Sequence, residues 1–456
     1  MKKLNSKFAL IPIIFALAWP TMLEQLLQTA VQYIDTAMVG SLGTDATAAV
    51  GATVTVNWLV GSTISALGIG FLAFISQAHG AGETDKISAA GAQATLAVII
   101  CGLFFTVLTL SLSPFVPVWM QVAEPIRELS AKYFFILYSA MLFRTATIIF
   151  GTILRAVGDT KAPMKVGIWV NVINVFLNFS FIYPTRTVSV GSFDIRILGA
   201  GMGVTGAALA SAISFLAGGI LITVKVLRHP LLSPLGRPLK PDMAILKPCL
   251  KVALPNALQR FGTSLGYVAF ASMVNSLGEI STAAHTIANT VESAFYIPGY
   301  GMQAAAATLA GNAYGARDKE KIKALGRNII FVEAALMVAT GGLLFIFAPA
   351  MMRIFSSDTE VISLGSAVLR MVALSEPFYG VSIVLEGMLQ GMGKTKVPFI
   401  YNIIGMWGIR IVGTFICIKF FELGLISAWG AMIVHNMFLF FMFTVYDKCG
   451  KFNSIK

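Results

Sequence analysis

Residues 20–163 are echoed by residues 255–398 at a constant shift of 235 positions, without net insertion. Pro20 falls on Pro255, Met38 on Met273, Ser41-Leu42-Gly43 on Ser276-Leu277-Gly278, and Thr47-Ala48-Ala49 on Thr282-Ala283-Ala284. The same shift carries Gly80-Ala81 onto Gly315-Ala316, Lys86 onto Lys321, and Gly158, Thr160, Lys161 and Pro163 onto Gly393, Thr395, Lys396 and Pro398. So long a repeat implies two copies of one folded unit, because the same apolar pattern and turn residues direct the same packing twice. The chain is 57% hydrophobic and 12% charged. A duplicated apolar bundle is the mark of a transporter in which two bundles move against each other around a site near the bilayer midplane.

A mean hydropathy of +0.80 lies far outside the soluble range, and many apolar stretches reach the roughly twenty residues that a helical span requires. The expected fold is an all-α polytopic membrane protein with twelve transmembrane helices in two homologous six-helix bundles. Six spans are read in each half: 13–39, 48–78, 88–113, 129–153, 163–184 and 203–225, then 244–274, 284–313, 325–350, 362–389, 399–421 and 425–446. Extended to Ile11, the first span is longer than a bilayer needs and contains Pro20, so a tilted helix with a bend at Pro20 is expected. An even number of spans per half gives both halves one orientation, related by a pseudo-two-fold axis along the membrane normal. The division is residues 1–225, a linker at 226–243, and residues 244–456.

The formal net charge of +12 could suggest nucleic acid, but its distribution points to a membrane. With residues near the span ends counted in the adjoining loop, 23 of the 33 Lys and Arg residues fall in the termini and even-numbered loops, six in odd-numbered loops and four (Arg144, Arg260, Arg370 and Arg410) in span interiors. Both termini are therefore expected in the cytoplasm of a bacterial inner-membrane protein. Lys225 to Lys251, with Arg228, Arg237 and Lys240 among four prolines, reads as a cytoplasmic connector. Gly203 aligns with Gly424, which leaves about fourteen extra residues between Tyr183 and Gly201, enough for a small outward hairpin. Cys101, Cys249, Cys417 and Cys449 are scattered, so packing roles are expected and no disulfide framework. Met1-Lys2-Lys3 before an apolar run resembles a signal peptide, but no small-residue cleavage site follows, and retention is expected.

Two nucleotide-like motifs fail on context. Gly393-Lys394-Thr395 ends like a phosphate loop, but the first glycine of that motif would fall on Met388 and the tract follows a membrane helix. Gly199-Ala200-Gly201-Met202-Gly203 has no βαβ context and opens a span, where small residues permit close helix packing. His79, His229, His285 and His435 lack metal-like spacing, and no nucleophile constellation or catalytic dyad appears. An enzyme is not expected. With no energy-coupling domain visible, an ion gradient is the expected driving force.

Charges within spans are unfavourable by several kcal/mol unless paired or hydrated, so each is a functional candidate. Asp35 follows Gln25, Gln28 and Gln32 in a polar stripe at helical spacing. Its counterpart in the second half is Phe270, so the repeat itself does not need the carboxylate. Asn174 and Asn178 lie one turn apart in the fifth span at matching depth, and Ser211 in the sixth adds a hydroxyl. These oxygens suit a hard cation, or a carboxylate gaining and losing a proton; interhelical glue is the alternative. The second half carries Gln259, Arg260, Glu292, Arg370, Glu376, Glu386 and Arg410, a mixed set that reads either as mutual neutralisation or as a second ion or substrate site, with Glu292 or Glu376 as its carboxylate. The abundant Met and Phe residues suit an adaptable drug cavity or ordinary lipid-facing packing.

Four tracts stand out along nearly the whole chain: Trp19-Pro20 with Ile34-Asp35-Thr36-Ala37-Met38-Val39-Gly40, then Gln77-Ala78-His79-Gly80-Ala81-Gly82, Gly158-Asp159-Thr160-Lys161-Ala162-Pro163, and Gly203 through Ser211. In that order they resemble the first helix, the end of the second, the turn before the fifth and the start of the sixth in the multidrug and toxic compound extrusion (MATE) family. The resemblance implies two V-shaped lobes that export organic, often cationic, xenobiotics in exchange for sodium or protons, acting as a monomer without further cofactor. It implies an amino-lobe cation site at Asp35, Asn174 and Asn178, with Ser211 where many relatives have threonine. Some relatives have aspartate at the place of Asn178, and some carry a coupling glutamate near Thr263 that this chain lacks. The rival expectation is a flippase for a lipid-linked or other anionic amphiphile, whose headgroup Arg144, Arg260 and Arg370 would meet. A channel is disfavoured by the duplicated lobes and the lack of a filter-like loop.

Overall fold

The computed structural model describes residues 10–190 and 193–448. Met1-Lys2-Lys3 and Cys449 lie outside them. The amino half comprises α1 (Ile11–Gly40), α2 (Thr44–Gly80), α3 (Thr84–Leu112), the short α4 (Val116–Trp119), α5 (Glu124–Ser139), α6 (Met141–Ala156), α7 (Lys161–Phe181) and α8 (Gly203–Leu227). In the carboxy half are α9 (Met243–Asn275), α10 (Glu279–Gly315), α11 (Lys319–Phe355), α12 (Thr359–Ala373), α13 (Glu376–Gly391), α14 (Lys396–Ile403), α15 (Val412–Lys419) and α16 (Leu425–Lys448). A π-type stretch, Ile404–Ile411, joins α14 to α15 in one span. The expected hairpin is present: β1 (Pro184–Val190) pairs antiparallel with β2 (Phe193–Ala200).

Among the described residues, eight helices are long and apolar enough to cross a membrane. The pairs α5–α6 and α12–α13, bent by 50° and 55°, add one span each. With 33 and 37 residues, α9 and α10 are long enough as well. Their lower hydropathy comes from residues such as Lys251, Arg260, Glu279 and Glu292, and as repeat counterparts of α1 and α2 they complete twelve. In lipid the backbone must satisfy itself, which leaves helices as the spanning form. Where helices meet water, side chains take over: Asp242 accepts from Ala244 N at 2.8 Å, Asp318 from Lys321 N at 2.9 Å and Asp358 from Glu360 N at 2.8 Å.

The repeat extends to backbone detail. Both bent spans break at the same step, Ala140 in one half and Ser375 in the other. Gly158 and Gly393 adopt φ of +89° and +73°, a left-handed turn that favours glycine and accounts for the tract that looks like a phosphate loop. Pro20 lies inside α1, buried. Cys101, Cys249 and Cys417 are free thiols.

The halves touch most closely at the end that carries the connector. A Cβ on Gly80 would come within 1.9 Å of the Asn312 oxygen, and one on Gly315 within 1.9 Å of the Gln77 oxygen. Gly80 and Gly315 are repeat counterparts, as are Gln77 and Asn312, so this contact is self-complementary across the pseudo-two-fold. Gln77 Nε2 also donates to the Gly391 carbonyl at 3.0 Å, and Thr21 Oγ1 to that of Gly301 at 2.8 Å. At this end the first helix of each half packs on the other half. Leu10, Ile14 and Ala18 of α1 join a core with Ala306, Ile329 and Phe443, while Ile245 and Cys249 of α9 join the amino-half core around Phe134 and Phe150. The sequence division into 1–225 and 244–456 therefore runs through interlocked helices.

The connector is strapped along α3. Gln93 Nε2 donates to the Lys240 carbonyl at 2.8 Å, its Oε1 accepts from Asp242 N at 3.0 Å, and Arg237 pairs with Asp85 at 2.7 Å.

Candidate functional site

One face of α7 carries Asn174 and Asn178, 5% and 1% exposed, towards α1 and α8. Asn178 Nδ2 donates to Asp35 Oδ1 at 2.5 Å. With its amide turned towards Asp35, Asn174 donates to Oδ1 at 2.8 Å and accepts from Ser211 Oγ at 3.2 Å. In the opposite orientation two oxygens meet at that distance, which holds only with a proton or a cation between them. Asn178 Oδ1 is buried without a hydrogen-bond partner. The four residues Asp35, Asn174, Asn178 and Ser211 thus form one cluster with a single carboxylate.

Magnitudes indicate what the cluster lacks. An ionised aspartate is unfavourable by about 3 kcal/mol at the centre of a span, and Asp35, half-buried five residues before the end of α1, bears part of that penalty. Interhelical hydrogen bonds return about 0.6 kcal/mol each on average. Carboxylate, amide carbonyl and hydroxyl oxygens are hard donors of the kind that bind an alkali cation, and a proton would neutralise Asp35 equally well.

Beside Asp35 on α1, Thr29, Gln32, Tyr33 and Thr36 face Thr286, Asn289, Thr290 and Ser293 of α10 across a cleft of about 530 Å³ between the halves. No charged side chain lines it. Tyr33 Oη reaches across to donate to the Thr290 carbonyl at 3.2 Å.

The polar residues of the carboxy half separate into distinct groups. Glu386 accepts from Gln259 Nε2 at 2.8 Å, Gln390 Nε2 at 3.0 Å and Asn402 Nδ2 at 3.0 Å. Arg260 Nε donates to Asn256 Oδ1 at 2.9 Å. Arg370 is exposed and lies over the Phe345 ring, away from the buried acids. Glu376, 1% exposed, lies near both Glu292, 5% exposed, and Glu333, which is fully buried with both oxygens unpartnered among the described residues. Only a protonated carboxyl sustains that burial. Gln259, Arg260, Glu292, Arg370 and Glu376 therefore do not converge on one site.

Sequence reasoning missed Glu333, although an acid inside the span read at 325–350 was signal enough. It also missed Glu24, whose carboxylate pairs with Arg155 Nη1 at 3.1 Å, both side chains less than a fifth exposed. In the amino-half core Arg144 bonds to Asn57 Oδ1 and lies 5.2 Å over the Phe215 ring. Among the described residues it has no carboxylate at ion-pairing distance.

The MatE family profile matches residues 20–180 and again 255–416, one copy in each half. The chain belongs to the MATE family of transporters. It is 28% identical over 438 residues to a probable multidrug resistance protein NorM of Thermotoga maritima, covering 95% of this chain and 92% of that one. The solved structure described as the outward-facing conformation of a multidrug resistance MATE transporter of the MOP superfamily superimposes with a TM-score of 0.89, at 23% identity and over 97% and 96% of the two chains. A MOP-superfamily transporter from Pyrococcus furiosus, whose description states a reversed polarity of its binding pocket and suggests a different function, gives 0.86 at 24% identity over 96% and 94%. The two profile matches in this MATE transporter begin 235 positions apart, and the second is one residue longer. The extra residue has a structural counterpart in the π-type stretch of the eleventh span.

Proposed function

We propose that this MATE transporter is a secondary active multidrug efflux antiporter, exporting organic, often cationic compounds in exchange for Na⁺ or H⁺ by alternating access of its halves. The observation that carries this reading is the lone Asp35 carboxylate among Asn174, Asn178 and Ser211, with the buried Asn178 Oδ1 left over as an acceptor, beside an uncharged inter-half cleft. Relatives named as multidrug resistance proteins support it. An ion entering from the hairpin side neutralises Asp35, favours rearrangement of α1 around Pro20 and expels bound drug; release on the connector side restores the charge. By reciprocity, drug and ion weaken each other's binding to the same degree. On this reading the termini and connector face the cytoplasm of a bacterial inner membrane, and the monomer is the working unit.

The test is efflux of a fluorescent organic cation from proteoliposomes, with sodium and pH gradients imposed separately, for wild type and Asp35→Asn. Transport driven by either gradient and lost in the variant supports the proposal and names the ion; wild-type efflux in the variant would overturn it.

A second reading, a flippase for a lipid-linked or other anionic amphiphile, has one observation in its favour: Arg144 and Arg260 lie within spans with amide partners and, among the described residues, no carboxylate at ion-pairing distance, Glu386 being the acid nearby in the field of Arg260. Transfer of a lipid-linked substrate in the same vesicles, with no cation efflux, would favour it.

A further inference from the structure

Arg410 lies in the π-type stretch of the eleventh span and is 3% exposed. Its guanidinium stands 4.3 Å from the centre of the Phe270 ring and 4.9 Å from that of Tyr267, and Nη2 is 2.9 Å from the Met432 sulfur. Nε has no partner. Among the described residues no carboxylate comes within ion-pairing distance; Glu292 is the acid within its field.

Two of these neighbours, Phe270 and Met432, have counterparts in the Asp35 cluster. The 235-residue shift places Phe270 at the position of Asp35. The register of Gly203 on Gly424 places Met432 at that of Ser211. The eleventh span starts in register with the fifth, Pro398 on Pro163, and the residue added by the π-type stretch then brings Arg410 to the position of Asn174. In the amino half Asn174 lies between Asp35 and Ser211. In the carboxy half Arg410 lies between Phe270 and Met432.

We propose that Arg410 is a tethered counter-cation filling the carboxy-half counterpart of the Asp35 cation site, so that the amino half alone exchanges an ion during transport. Two physical features support this. Aromatic faces and a thioether receive a planar, weakly hydrated guanidinium, whereas an alkali ion needs several oxygen ligands, and of the Asp35 cluster these positions keep one, the buried hydroxyl of Thr414 at the place of Asn178. Moreover, a cation held by its own side chain stays in place throughout the cycle, so the position has no empty state to alternate with. The inference rests on the reading of Asp35 as the coupling site.

The test counts ions per purified chain: sodium-22 bound at equilibrium, and protons released into an indicator when ethidium binds, for wild type and Asp35→Asn. The expected result is one exchangeable ion in wild type and none in Asp35→Asn. An undiminished count in the variant overturns the coupling reading itself. A count that falls from two to one overturns the tethered cation while leaving Asp35 as a coupling site. A second arm uses Arg410→Ala, where methylguanidinium chloride should raise Tm saturably while leaving wild type unmoved. If that variant folds poorly, folded yield with and without methylguanidinium gives the same reading. No selective rescue in either form overturns the proposal.

Discussion

Asp35 in α1 and Phe270 in α9 stand at the same step of a shared backbone, and everything chemical around them differs. Asp35 is half-buried at the edge of the inter-half cleft among amide and hydroxyl groups. Phe270 is 1% exposed, packed against His285 and Arg410 in the carboxy-half core with Val274 and Trp429. Duplication preserved what the backbone demands, including the turn glycines, the break in the fourth and tenth spans and the close helix contact at the connector end. It left the side chains free to diverge, so one half carries an uncompensated charge and the other a packed aromatic. On the proposed function, this divergence within a symmetric frame puts the ion chemistry in the amino half.

The comparison breaks most visibly at those two residues. Asp35→Asn is expected to reduce gradient-driven efflux to the empty-vesicle background with Tm unchanged; a large fall in Tm would make Asp35 a structural residue after all. Phe270→Ala should do the reverse, with a stability loss of about 3–5 kcal/mol for an aromatic removed from a packed core, read by thermal unfolding in detergent. Next come Gly80→Ala and Gly315→Ala. Each methyl would press on the opposing carbonyl, and an overpacking penalty of about 1–3 kcal/mol should slow transport to a similar extent in both; markedly unequal effects would break the two-fold description of that contact. Asn178→Ala removes an amide donor to a carboxylate and should weaken the dependence on the coupling ion by about tenfold, the equivalent of roughly 1.4 kcal/mol, measured by titrating that ion. The smallest effect is expected for Glu333→Gln, within about 0.5 kcal/mol in stability, because an amide has the shape of a protonated carboxyl; a large loss would mean that Glu333 carries charge at some point in the cycle.

Much of the fold was legible beforehand because it depends on periodicity and length. Twenty-residue apolar runs can only be helices in lipid, and a repeat at fixed spacing fixes parallel halves. The Asp35 cluster was legible for a related reason: Asn174 and Asn178 are one turn apart, and a charge in a span must find partners. The carboxy-half set was not. Gln259 and Glu386 are 127 residues apart and meet at 2.8 Å, whereas Arg370, only six residues before Glu376, points elsewhere. Residue type marked these positions as unusual, but helix rotation and tilt set the partners, and neither is encoded in spacing along one helix.

The sequence by itself therefore determined the architecture, the duplication, the membrane setting and the lone carboxylate of the amino half, since these follow from local pattern and from the energetic penalty on unpaired polar groups in hydrocarbon. Only the tertiary structure decided that the first helix of each half locks onto the other, that Glu376 lies near both Glu292 and Glu333, and that Arg410 rests on Phe270. Those contacts depend on how helices are packed together and on a single residue added in a π-type turn, which rotates every side chain beyond it to a new face.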